Sequence, residues 1–158
     1  MARSTTRTLA FGLALTALGS LAAGCDHGSG TEIGPEGGVV VSEDGRLTLE
    51  VPAGALHDAV DVSIHAVDEG PDGAVRVYAI EPMGTPLVLP AMVEYDWSAT
   101  AGAEGLSLES SSMTDPTLVI ERGDEWRQLA DRTVDADAQY VAASANYFGI
   151  VAVVPVAQ

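Results

Sequence analysis

One thiol, three imidazoles and two indoles are the side chains of this 158-residue chain on which a chemical function could be built. Cys25 is the sole cysteine, so it can form no disulfide within the chain. The histidines are His27, His57 and His65, and no two fall at finger-type or helical metal spacing. His65 shares the outward side of an alternating run with Asp61 and Ser63, and His57-Asp58 lies in the turn before it. That grouping reads as a polar surface patch, with a weak metal cluster as the alternative. No Gly-x-Ser-x-Gly elbow occurs, and Ser110-Ser111-Ser112 reads as a polar turn. Asp115, Asp135 and Asp137 offer oxygen ligands to calcium, but without the glycine and closing glutamate of an EF-hand loop. The sequence therefore predicts no catalytic residue, no metal site and no cofactor. Trp97 and Trp126 each sit at a strand end beside polar residues. There an indole is either half exposed, a platform for a sugar ring, or a core filler.

The elements that position these groups begin with an export segment. Arg3 and Arg7 precede an apolar stretch from Thr8 to Gly24, and no acidic residue occurs before Asp26. A basic start, an apolar centre and small residues at the end make a cleaved signal peptide over residues 1–24. The stretch is shorter than the ~20 apolar residues of a membrane-spanning helix, and Thr16, Gly19 and Ser20 interrupt it. Leu21-Ala22-Ala23-Gly24-Cys25 resembles a bacterial lipobox. The resemblance implies that the thiol of Cys25 is acylated and that cleavage makes Cys25 the first residue. An exported chain with one unpaired cysteine needs an explanation, and a lipid carrier supplies it. Ordinary signal peptidase cleavage, which would release a soluble protein, is the alternative.

Without residues 1–24 the chain has 134 residues, enough for one domain with its own core. It keeps all 23 acidic residues against five arginines and no lysine, a formal charge of about −18. Such a surface repels nucleic acid, whose phosphates need clustered Lys and Arg. It is repelled by anionic headgroups as well, so a lipid rather than a basic patch must hold the chain at a membrane. Residues 25–32 read as the lipidated cysteine and a flexible tether. The six residues from Asp26 to Thr31, fully extended, reach only about 20 Å, which keeps the domain at residues 33–158 close to the bilayer.

From Ile33 onward, short alternating runs are separated by turn residues. Gly38 to Val41 and Arg46 to Val51 flank Ser42-Glu43-Asp44-Gly45, a hairpin signal. Val60 to Ala66 places Val60, Val62 and Ile64 on one face. Further strands are expected at Val75 to Ile80, Met92 to Trp97, Leu118 to Arg122, Trp126 to Leu129, Tyr140 to Ala143 and Phe148 to Val154. Pro82, Pro86 and Pro90 read as an irregular crossing between strands. The spacing of turn signals, with no amphipathic helix, predicts an all-β antiparallel sandwich.

Several punctuating residues fall in an ordered series. Ile33-Gly34-Pro35-Glu36-Gly37-Gly38 leads into the first strand. Leu49-Glu50-Val51-Pro52-Ala53-Gly54-Ala55-Leu56 ends the next strand in a bend. Tyr78-Ala79-Ile80-Glu81-Pro82-Met83-Gly84-Thr85-Pro86-Leu87 and Pro90-Ala91-Met92-Val93-Glu94-Tyr95 follow. This series resembles a ZU5 domain, the β-sandwich module of ankyrins, netrin receptors, tight-junction scaffolds and many bacterial surface lipoproteins. The resemblance covers roughly residues 33–97, and Asp124 to Leu129 and Tyr147 to Val154 resemble the end of the bacterial versions. Some proteins with this module cut themselves at a His-Phe-Ser motif. Here the corresponding residues are Tyr147-Phe148-Gly149, which lack both the imidazole and the hydroxyl nucleophile, so no self-cleavage is expected.

Together these features predict a lipid-anchored bacterial envelope protein, held through Cys25 at the outer membrane or the periplasmic face of the inner membrane. Its ZU5-like sandwich would serve protein–protein interaction or envelope structure without catalysis, and its partner would be an envelope protein. The competing reading is a module that binds glycan through Trp97 and Trp126, or calcium through acidic loops.

Overall fold

A computed structural model describes residues 30–98 and 115–156; Cys25 and the expected signal peptide lie outside the described residues. Eleven strands run β1 (Thr31–Ile33), β2 (Gly38–Val41), β3 (Leu47–Val51), β4 (Val60–Ala66), β5 (Arg76–Glu81), β6 (Pro86–Asp96), β7 (Pro116–Arg122), β8 (Glu125–Gln128), β9 (Ala130–Asp135), β10 (Tyr140–Tyr147) and β11 (Ile150–Pro155). They form a six-stranded sheet, β1-β4-β5-β11-β7-β8, and a five-stranded sheet, β2-β3-β6-β10-β9. All pairings are antiparallel. The fold is the all-β sandwich that the alternation predicts.

Alternation supplies the core. Leu47, Leu49 and Val51 of β3 face Val62 and Ile64 of β4 and Tyr78 and Ile80 of β5 across the sandwich, all buried. Val93 and Tyr95 of β6, Leu118 and Ile120 of β7, and Val141 of β10 complete the cluster. Each fully buried Leu, Ile or Val side chain contributes about 1.5–3 kcal/mol relative to exposure. Leu56 drops back into this cluster behind Gly54, whose φ of 84° turns the corner.

Three elements differ from the sequence expectation. Thr31 to Ile33, of which the first two residues were assigned to the tether, pair with β4 (Thr31 opposite Val62, Ile33 opposite Val60), so the domain begins earlier than residue 33. β9 is a strand that its polar sequence did not signal; pairing with β10 holds it, and Asp131 takes a φ of 52° beside a register shift. The proline-rich stretch before Met92 is the first half of β6 rather than an irregular crossing. The Asp96 N–H bonds to the Arg46 carbonyl at 2.9 Å, so even-numbered residues of β6 aim their N–H groups at β3. Pro86 and Pro90 are even-numbered and lie past the end of β3, where no ladder bond is lost. Between them the Val88 N–H reaches the Ala55 carbonyl at 2.9 Å. The Glu81–Pro82 peptide bond is cis.

Candidate interaction surface

The groups that the sequence offered for chemistry do not converge. Trp97 is 2% exposed and belongs to the core, so of the two readings the core filler holds there and the half-exposed platform does not. The cause is its place one residue beyond β6, where its N–H bonds to the Gln139 carbonyl at 2.9 Å and the strand direction carries the indole inward. Trp126 is partly exposed on edge strand β8, opposite Glu121 of β7. His65 points outward and its Nε2 lies 2.9 Å from the Ser63 hydroxyl; His57 and Asp58 are exposed in the preceding turn.

The acidic loop residues are engaged locally. Asp115 pairs with Arg132, whose Nε and Nη2 also donate to the Pro116 carbonyl. One oxygen of Asp135 accepts the N–H groups of Asp137 and Ala138 at 3.0 and 2.8 Å, which closes the β9–β10 turn. Among the described residues no three of His, Cys, Asp and Glu gather where they could hold a metal ion. Ser110-Ser111-Ser112 lies outside the described residues. In the Tyr147-Phe148-Gly149 segment the Tyr147 hydroxyl donates to the Glu121 carbonyl at 2.9 Å and Phe148 is buried.

A polar cluster that sequence reasoning missed joins the two sheets at one end. The β2–β3 turn places Asp44 against β5, where one carboxylate oxygen accepts the Tyr78 hydroxyl at 2.8 Å and lies 3.7 Å from Arg76 Nε. The other oxygen accepts the Ser42 hydroxyl at 2.6 Å and the Arg46 N–H at 3.2 Å. Ser42 Oγ in turn accepts the Leu47 N–H at 2.9 Å. Burial alone would raise the Asp44 pKa. Hydrogen bonds from Ser42, Tyr78 and the Arg46 backbone, with the Arg76 charge, outweigh it and hold the carboxyl below its usual 3.8. Burial, then the bond to Asp44, pushes the Tyr78 hydroxyl well up. Ser42 is 4% exposed and its hydroxyl donates to the Asp44 carboxylate, so the cluster works as a clasp between the β2–β3 turn and β5. Its sequence signal was limited to Asp44-Gly45, which reads only as a turn.

The outer face of the five-stranded sheet has a different character. Val39, Val41, Val88 and Met92 are exposed there, while exposed Leu89 alternates to the other side of β6 and exposed Met83 lies in the bend before it. Among the described residues the only other large exposed apolar side chain is Val156. The register sets Val39, Glu50 and Met92 in one row and Val41, Thr48 and Glu94 in the next. Segregation of apolar side chains on one face marks a contact surface more than single scattered ones do. The sequence contains the signal, since Val39 and Val41 alternate with buried Val40, but a run of three valines does not declare which face is wet. Comparison of the chain with protein-family models and with curated proteins finds no match.

Proposed function

We propose that this protein is a lipid-anchored component of a bacterial envelope whose ZU5-like sandwich serves protein interaction or envelope structure and performs no catalysis. What carries the reading is Cys25: the chain's one thiol stands directly after an apolar, small-residue segment with a basic start. The apolar outer face of the five-stranded sheet supports an interaction role. The engagement of Ser42, Asp44, Asp115 and Asp135 in turns and clasps supports a scaffold reading over an enzymatic one. Burial of Trp97 removes one of the two rings on which the glycan reading rested.

Metabolic labelling with an alkynyl palmitate tests the anchor. The wild-type chain is expected to incorporate the label at its mature N-terminus, and a Cys25→Ala chain to incorporate none. Equal labelling of both would reject lipidation at this cysteine.

A further inference from the structure

Among the described residues the two open sheets leave four edge strands: β1, β8, β2 and β9. Three carry devices that discourage strand addition. β1 has three residues with Glu32 exposed, β8 reads Glu-Trp-Arg-Gln, and β9 combines Asp131 and Arg132 with a register shift. β2 has only its shortness: it reads Gly-Val-Val-Val, without charge or proline and in unbroken register with β3.

The outward groups of β2 follow from the ladder. The Ser42 N–H bonds to the Leu47 carbonyl at 2.8 Å. Alternation along an antiparallel pair then places Gly38 and Val40 in hydrogen-bonded pairs with Val51 and Leu49. The N–H and C=O groups of Val39 and Val41 therefore face away from β3. Both side chains stand on the outer face, 54% and 51% exposed. Exposed Glu36 precedes this strand, exposed Glu43 follows it, and exposed Glu50 lies beside Val39 on β3.

We infer that the β2 edge is a docking site for an extended protein segment that adds a sixth strand to this sheet, its apolar centre beside Val39 and Val41 and its ends carrying Lys or Arg toward Glu36 and Glu43. This deepens the protein-interaction reading above and rests on it. Main-chain bonds to Val39 and Val41 would give the register, and the flanking carboxylates would select the partner's charge. A second copy does not fit. Antiparallel self-pairing must match the outward groups of Val39 with those of Val41; it brings Glu36 of one chain beside Glu43 and Asp44 of the other, and like charges so placed are destabilising. An anionic lipid surface fails for the same reason.

The test uses the mature lipidated protein in neutral detergent and a fluorescein-labelled peptide, Lys-Lys-Val-Thr-Val-Thr-Lys-Lys, followed by anisotropy in about 0.15 M salt. A peptide with the same lysines around a Gly-Ser centre controls for charge alone. The apolar-centred peptide is expected to bind at least about tenfold more tightly than the control, and Val41→Lys to weaken it by at least about tenfold. Val39→Pro is expected to weaken it similarly, because it removes an edge N–H and no ladder bond. Should Val39→Pro fail to fold, the exposed Val41→Lys substitution decides. Absence of binding, equal binding of the two peptides, or unchanged affinity in Val41→Lys overturns the inference. Anchoring is a separate matter: a Cys25→Ser chain that leaves the membrane yet binds the peptide retains the edge and loses the anchor.

Discussion

Asp44 converts a surface turn into a bond between sheets, and its carboxylate does so most strongly when ionised. Its pKa is lowered in the folded protein, so its contribution is fully present above the ordinary carboxylate range near 3.8. It is lost as pH falls through the lowered value, because protonation then favours the unfolded chain. Asp44→Asn is expected to cost about 1–3 kcal/mol at neutral pH. In urea titrations the difference from wild type should shrink as the pH falls below that range; a difference constant from pH 7 to pH 2 would contradict the charged clasp. Two glycines with positive φ separate strain from clash. A Cβ on Gly45 (φ 70°) meets nothing within 4 Å, whereas one on Gly37 (φ 78°) lies 2.3 Å from the Val51 carbonyl oxygen. Gly45→Ala should cost about 1–2 kcal/mol from backbone conformation alone. Gly37→Ala should cost clearly more in the same melts, because β3 backbone must move.

Strands whose pattern carries its own face are legible in the sequence. Val60 to Ala66 alternates so plainly that β4 occupies those residues with its expected face inward. β9 was not legible, since Ala130-Asp131-Arg132-Thr133-Val134-Asp135 holds one large apolar residue and owes its conformation to β10. β6 was obscured by Pro86 and Pro90, whose cost depends on which neighbour faces the missing N–H, a fact of register and not of sequence. The clasp was invisible because Asp44 and Tyr78 are 34 residues apart and meet only once both sheets form. Arg132 supplies a second tie, from β9 to the start of β7 in the other sheet. Arg132→Lys keeps the charge but loses the planar fork. It is expected to speed amide exchange across β9 and to leave β4 and β5 unchanged; uniform acceleration would mean that Arg132 supports the whole fold.

For the molecule as a whole, charge and position decide the behaviour. With 23 acidic residues and no lysine, the chain has no electrostatic means of holding an anionic membrane. A single acyl chain gives only marginal attachment, and two or more give stable anchoring. The acidic sandwich would then sit near the bilayer, with the β2 edge and the apolar face available to a neighbouring protein. The cluster of Ser42, Asp44 and Tyr78 ties the two sheets together. Fractionation of cells expressing wild type and Cys25→Ser tests lipid anchoring at this cysteine. Wild type is expected in the membrane fraction, resistant to high salt and released by detergent, and the serine variant in the soluble fraction. A serine variant that remains with the membrane would contradict it.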